Sequence, residues 1–178
     1  MPTRPTSLLC AAAFAALPLL SACAPERDQF PPACPGVAFL TPTADLSIFR
    51  PGSDGRDLTT LMVAGRMQGI QGKCKIGSEK NTIEATVTVG AELSRGPAMQ
   101  GNQVNVPVYV AVTEGDRILD KQVYTLKATF PSNVDRVDVS TPQVFMVLPV
   151  SPTKSAAAYS VLAGFQLTSD QLTNSRGQ

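Results

Sequence analysis

The chain has 178 residues, of which 15 are Lys or Arg and 14 are Asp or Glu, so its formal net charge is +1. A balanced charge without basic runs argues against a nucleic-acid binder and gives no electrostatic reason to bind anionic lipid headgroups. The chain contains no His, which excludes Ser-His-Asp and Cys-His catalytic arrangements and HExxH zinc sites.

The first 22 residues are typical of a secretory signal peptide. Residues 1–7 carry Arg4 and no acid, and residues 8–20 form an apolar run of 13 residues. This run has the length of a signal-peptide core, but it is shorter than the roughly 20 residues that a membrane-spanning helix needs. We therefore predict that residues 1–22 are cleaved and that no transmembrane anchor remains. Loss of Arg4 leaves acidic and basic side chains in balance.

Leu20, Ser21, Ala22 and Cys23 close the apolar run, and together they resemble the lipobox of bacterial lipoproteins that are processed by signal peptidase II. The resemblance implies a diacylglyceryl thioether at Cys23. Two or more acyl chains anchor a protein stably, because each buried methylene contributes about 0.8 kcal/mol. In the sorting rule of enterobacterial lipoproteins, Asp after the lipidated cysteine retains the protein at the inner membrane, so Ala24 implies the outer membrane, facing the periplasm. The alternative is an ordinary secretory signal with an accidental cysteine.

Three segments are predicted after the signal peptide. Residues 23–33 contain the lipidation site and a Pro-rich tether, which spans at most about 30 Å in an extended conformation. Residues 34–168 form one β domain. Residues 169–178 form a polar C-terminal tail, of which residues 169–175 are a polar helical turn or a frayed end.

The four cysteines divide into two groups. Cys10 lies in the signal peptide and Cys23 is the lipidation site, which leaves Cys34 and Cys74 as a pair. In an oxidising periplasm such a pair is typical of a disulfide, for which the chain-entropy estimate is roughly 4 kcal/mol. Zinc would need further ligands at short spacing, so we predict neither a metal nor another cofactor.

From residue 34 onward, apolar residues alternate with period two, most clearly over residues 83–91 and 104–112. This pattern, broken by Pro- and Gly-rich stretches, predicts an all-β fold, an antiparallel immunoglobulin-like β-sandwich of about 7–9 strands. The candidate strands are residues 37–40, 46–50, 59–71, 83–91, 104–112, 117–130, 134–140, 144–150 and 159–167. A helix over residues 152–163 is the alternative to the last strand, because its three consecutive alanines favour a helix.

Two groups of residues are candidates for binding. Pro107 cannot donate a hydrogen bond within a sheet, so we predict that its strand is an edge or is bulged there, and that Pro107 and Tyr109 accept a strand from a partner. Two loops, at residues 50–57 and 94–103, offer Arg50, Arg56 and Arg95, whose guanidinium groups can bind carboxylates in bidentate fashion.

Catalytic motifs occur only without their usual partners. Ser151 and Lys154 match the Ser-x-x-Lys pattern of penicillin-recognising enzymes, but no Lys-Thr-Gly motif occurs in the chain. Asp54 and Asp57 lack the regular spacing and the terminal Glu of an EF-hand. We therefore predict no catalytic residues and no enzymatic activity.

Two functions stay open. The first is a noncatalytic, structural or protein-binding lipoprotein of the cell envelope, with the membrane and an envelope protein as partners. The second is a binder of an envelope glycan or peptidoglycan through the Arg-bearing loops. Residues 164–176 and the Tyr109-Val-Ala-Val stretch resemble an uncharacterised family of small proteobacterial lipoproteins, a resemblance that implies no activity.

Overall fold

The computed structural model of the chain describes residues 33–53 and 57–176. This part contains nine β-strands and a C-terminal helix, α1 (Ser169–Arg176). The strands are β1 (Gly36–Phe39), β2 (Asp45–Phe49), β3 (Leu61–Ile76), β4 (Thr82–Arg95), β5 (Gln103–Glu114), β6 (Arg117–Thr129), β7 (Arg136–Ser140), β8 (Val144–Pro149) and β9 (Tyr159–Phe165).

The strands form two sheets that pack face to face. The first sheet has the order β1-β9-β5-β6, and the second has the order β2-β3-β4. Two short strands share the far side of β4, since its residues 90–94 pair with β7 and its residues 82–87 pair with β8. All neighbouring strands are antiparallel except β1 and β9. The predicted all-β sandwich is confirmed, while its immunoglobulin-like type stays a prediction.

The core lies between the two sheets and follows from the alternating pattern. Alternate residues of β4 are buried, and they face buried valines of β5 and β9 in one apolar cluster. Burial of a Val or Leu side chain contributes roughly 1.5–3 kcal/mol, so these alternating positions stabilise the sandwich. Gly65 lets the sheets approach closely, because a Cβ atom there would lie 2.8 Å from Cζ of Phe165 and 2.9 Å from Cδ2 of Leu93.

The segment after β8 forms a strand instead of the alternative helix. Its alanines form only a single 3₁₀ turn, Ala156–Ala158, before β9 begins. The side chain of Tyr159 is buried, and its hydroxyl donates to the backbone oxygen of Pro149 at 2.6 Å. Because β9 pairs with both β1 and β5, sheet formation overrides the helix propensity of the alanines.

The prediction that Pro107 marks an edge or bulged strand is wrong. β5 lies between β9 and β6, and its register irregularity falls between Val112 and Thr113. Pro107 lies one position beyond the last residue of β5 that pairs with β9, where Gln166 N donates to Pro107 O at 2.8 Å. In a strand, the N–H and C=O of one residue face the same neighbour, so the N–H that proline lacks would have faced β9. An interior strand therefore tolerates proline here because only one bond at the end of the ladder is lost.

Cys34 and Cys74 form the predicted disulfide, with 5.8 Å between their Cα atoms. Cys34 precedes β1 of the first sheet, whereas Cys74 lies in β3 of the second sheet. The bond therefore ties the start of the domain to the opposite sheet. It closes a loop with a sequence separation of 40.

Candidate interaction surface

β6 forms the longest free edge of the described sandwich. It has 13 residues and pairs only with β5, whereas the other strands at sheet edges have four to six residues. Short edge strands limit unwanted pairing, and a long unpaired strand offers a template for another chain. The free side of β6, Arg117–Thr129, is called the β6 edge below.

The backbone groups available at the β6 edge follow from the hydrogen-bond pattern. Phe130 N donates to Asn102 O at 2.7 Å, and the register then runs regularly from Gln103 and Thr129 to Val112 and Asp120. Residues of antiparallel strands alternate between hydrogen-bonded and non-bonded pairs. The even-numbered residues 120–128 therefore direct their N–H and C=O groups to β5. The odd-numbered residues 121–129 direct theirs to the free edge.

Apolar side chains accompany these free backbone groups. Ile118 and Val123 are 62% and 53% exposed, and they pair with Thr113 and Tyr109 on the outer face of the first sheet. Between them, the Lys121 ammonium lies 4.7 Å from the centre of the Tyr109 ring. The β6 edge thus combines unpaired backbone groups with apolar contact area.

Tyr109 does not serve as an exposed edge residue, contrary to the prediction. Its side chain is buried, and its hydroxyl lies 2.9 Å from Thr43 Oγ1. Because Thr43 Oγ1 already donates to Leu40 O at 2.9 Å, it accepts the hydrogen of the Tyr109 hydroxyl. This hydrogen bond from Tyr109 therefore holds the Thr41–Thr43 turn against the outer face of the first sheet.

A groove of about 240 Å³ continues this outer face beside the β6 edge. Its apolar wall includes Leu40, Ile118, Leu162 and Leu172. On its lining lies Gln166, whose Oε1 atom is buried and has no hydrogen-bond partner among the described residues. The outer face of the first sheet is thus mainly apolar next to the free strand.

The Ser-x-x-Lys motif folds into a tight turn instead of a catalytic pair. Ser151 N donates to Lys154 O at 2.8 Å, and the Ser151 hydroxyl lies 3.2 Å from Thr153 Oγ1. The Lys154 ammonium pairs with the Glu114 carboxylate and lies 4.5 Å from the centre of the Tyr159 ring. Hydrogen bonding to Glu114 raises the pKa of Lys154, so its amine is held in the protonated form and is a poor general base.

Asp57 has a local structural role. Its carboxylate accepts hydrogen bonds from Thr59 N at 2.8 Å and from Thr59 Oγ1 at 2.6 Å, and these bonds lower the pKa of Asp57. The residue thereby caps the 3₁₀ turn Leu58–Thr60. Asp54 lies outside the described residues. Within residues 33–53 and 57–176, no group of three or more Cys, Asp or Glu is arranged to hold a metal ion.

Two of the three candidate arginines lie at strand ends near the start of β3: Arg50 follows β2, and Arg95 is the last residue of β4. Arg50 N donates to Thr60 O at 2.8 Å, and Gly96 N donates to Met62 O at 2.8 Å. The Arg95 guanidinium donates to Gly101 O at 2.9 Å, so it stabilises the loop that follows β4. Arg50 is exposed and lines a groove of about 550 Å³ between β2 and α1. Arg56, the third arginine, lies outside the described residues.

The predicted lipidation site, Cys23, also lies outside the described residues. Among those that are described, no helix combines the length and the apolar character needed to cross a bilayer.

The β6 edge was not predicted from the sequence, although residues 117–123 depart from the usual strand pattern. Ile118 and Leu119 are adjacent apolar residues that break the period-two alternation seen in β4.

Comparisons with protein families, with curated proteins and with solved structures find no match to this chain.

Proposed function

We propose that the protein is a lipoprotein of the bacterial outer membrane that faces the periplasm and is anchored by acyl chains on Cys23. Its β-sandwich would then act as a noncatalytic module that binds an envelope protein through the β6 edge. Support for the location comes from the lipobox-like residues before Cys23 and from the Cys34–Cys74 disulfide. Such bonds form and persist mainly in oxidising compartments such as the periplasm.

A single observation carries the proposed binding role. β6 is 13 residues long, unpaired on one side within the described chain, and bears the exposed apolar side chains of Ile118 and Val123. A strand from a partner can add to such an edge through main-chain hydrogen bonds, while side chains at alternate positions give specificity. The proposed partner is therefore a protein that presents an extended segment with apolar residues at alternate positions.

The contacts of the Ser-x-x-Lys motif support the noncatalytic role. The Lys154 amine is engaged by Glu114, and the Ser151 hydroxyl neighbours that of Thr153. Neither contact joins a nucleophile to a base, the arrangement that covalent catalysis requires.

Site-specific photocrosslinking in the native envelope tests the binding role. A photoreactive residue in place of Thr125, on the β6 edge, should capture one discrete protein, whereas the same residue in place of Lys73, on the second sheet, should not. Val123→Pro should abolish capture because it removes an outward N–H while leaving the β5 ladder intact.

Val123→Thr is the matched control, because it keeps that N–H and should retain the captured protein. The proposal is contradicted if Val123→Pro leaves capture unchanged, or if Thr125 and Lys73 capture the same set of proteins. Circular dichroism of Val123→Pro shows whether the sandwich is still folded.

A further inference from the structure

Two lysines, Lys121 and Lys127, lie six residues apart on the β6 edge. Leu126 of β6 is buried in the core, so the odd-numbered residues of the strand point to the outer face of the first sheet. Both lysines are exposed. Because both are odd-numbered, their backbone N–H and C=O groups are also directed to the free edge. Each lysine therefore lies where an added strand would place a residue beside it.

The rest of the chain does not neutralise these two charges. On β5, Ala111 lies opposite Lys121. Asn105 lies opposite Lys127, so neither lysine has an acidic neighbour across the ladder. Asp120 is the only acidic residue of β6, and it belongs to the alternate positions of the strand, which point to the other face. In the part of the chain that the structure describes, neither lysine forms an ion pair.

A strand that adds to the β6 edge places its residues directly opposite those of β6. Side chains of directly opposite residues lie on the same face of the sheet, close enough for opposite charges to attract each other. The positions opposite Lys121 and Lys127 are six residues apart in the added strand, whether it runs parallel or antiparallel to β6. The two ammonium groups therefore favour one spacing of acidic residues in the partner.

We propose that the β6 edge binds an extended segment of the partner protein that carries two carboxylates six residues apart. The inference rests on the proposed binding role of this edge. Val123 and Thr125 lie between the two lysines on the same face, and β-branched or other apolar residues of the added strand pack opposite them. The segment pairs its backbone with β6 and its two carboxylates with the lysine ammonium groups.

Lysines on an edge strand also limit unwanted pairing. The two charges of the β6 edge disfavour strands with basic residues at the facing positions, because like charges directly opposite each other are destabilising. Repulsion of one class of strand and attraction of another together give specificity. Protection of the edge and selection of a partner differ in one measurable respect, since only selection raises the affinity for an acidic strand.

Calorimetric titration of the full chain with nine-residue peptides tests this proposal. The acidic peptide has threonine at its odd positions, valine at positions four and six, and glutamate at positions two and eight. It should bind at least about fivefold more tightly than the same peptide with lysine in place of glutamate. Exchange of its valines and glutamates keeps the composition and the charge but changes the spacing, and should weaken binding roughly twofold to fivefold.

Charge reversal on the protein gives the reciprocal test. The double variant Lys121→Glu and Lys127→Glu should bind the lysine peptide more tightly than the acidic one. Lys73→Glu with Lys80→Glu is the matched control, because it makes the same change of charge at exposed residues outside the first sheet. It should keep the preference for the acidic peptide. Circular dichroism shows whether both double variants are folded.

The proposal is overturned if the acidic peptide binds no more tightly than the lysine peptide, if neither binds, or if charge reversal leaves the preference unchanged. The partner segment that is captured at Thr125 should contain two carboxylates six residues apart. A captured segment without them, such as a second copy of β6, overturns the proposal as well. Failure of the proposed binding role is a separate outcome, because it appears as the absence of a discrete captured protein at Thr125.

Discussion

The ring of Phe165 in β9 rests directly on the backbone of Gly65 in β3, so the two sheets touch where one of them has no side chain. A Cβ atom on Gly65 would come within 2.8 Å of Cζ of this fully buried ring. Since the interior is close-packed, neither partner can move away without disturbing others.

We predict that Gly65→Ala lowers the free energy of unfolding by about 1–3 kcal/mol, the usual cost of overpacking a core. Chemical denaturation measures this loss. Gly36→Ala is the control, because its Cβ has room, and its stability should stay within about 0.5 kcal/mol of the natural chain. Equal stability of the two variants would show that the sheets are not in tight contact at Gly65.

The strands could be predicted because most of them bury only one face. β4 alternates between core and outer face over its whole length, and such alternation is visible in the sequence. β5 differs, since residues 108–113 are all buried. Its outer face is covered by Thr43 and its neighbours, which are distant in sequence. Strand order is not encoded in a local pattern, so the sequence around Pro107 predicts an edge strand, whereas the edge of this sheet is β6.

The candidate sites, too, could be predicted only where they do not depend on which strands are neighbours. Cys34 and Cys74 could be paired by elimination, because Cys10 falls in the predicted signal peptide and Cys23 is the predicted lipidation site. The pairing of Gly69 with Gly90 and of Gly90 with Ser140 could not be predicted, since it exists only once the register of three strands is known. A lone glycine in a strand pattern does not reveal what lies opposite it.

Removal of the disulfide should destabilise the domain strongly. We predict that the double variant Cys34→Ser and Cys74→Ser loses about 2–5 kcal/mol in free energy of unfolding, because the unfolded chain regains the freedom of a long loop. Denaturant titration with and without a reducing agent measures the effect. The natural chain should respond to the reductant and the double variant should not. If reduction leaves the natural chain unchanged, the bond has no stabilising role.

The hydrogen bond between Tyr109 and Thr43 should contribute modestly to stability. Tyr109→Phe removes the hydroxyl but leaves Thr43 Oγ1 bonded to Leu40 O, so we predict a loss of about 1 kcal/mol. Thr43→Val should cost more, because it removes that second bond and leaves the buried Tyr109 hydroxyl unpaired. Thermal unfolding of the two variants shows which substitution destabilises the protein more. A larger loss for Tyr109→Phe than for Thr43→Val would show that the Tyr109 hydroxyl stabilises the fold by more than its bond to Thr43.

Glu84 should make the domain sensitive to acid. Hydrogen bonds from Ser78 N, the Lys75 ammonium and the Ser78 hydroxyl lower the pKa of Glu84 from 4.5 to about 2. The folded state thus binds this proton less readily than the unfolded state. The resulting stabilisation is fully present above pH 4.5 and is lost as the pH falls to about 2.

We therefore predict that Glu84→Gln flattens the fall of the thermal midpoint across this acidic window. The neighbouring exposed turn residue Glu79 offers the control variant Glu79→Gln, which should keep the slope of the natural chain. A steep acid slope that persists in Glu84→Gln would assign the effect to other carboxylates.

The proposed anchor depends on the sulfur atom of Cys23. We predict that Cys23→Ser moves the protein from the membrane fraction to the soluble fraction, because serine cannot form the thioether that carries the diacylglyceryl group. Mass spectrometry of the natural protein should show an N-terminal residue 23 that carries two or more acyl chains, since one chain alone binds a membrane only marginally. Cys10→Ser is the matched control, because residue 10 lies in the segment proposed to be removed, and it should leave fractionation unchanged. An unmodified N-terminus, or a Cys23→Ser protein that stays in the membrane fraction, would contradict the lipid anchor while leaving the β6 edge open to its own test.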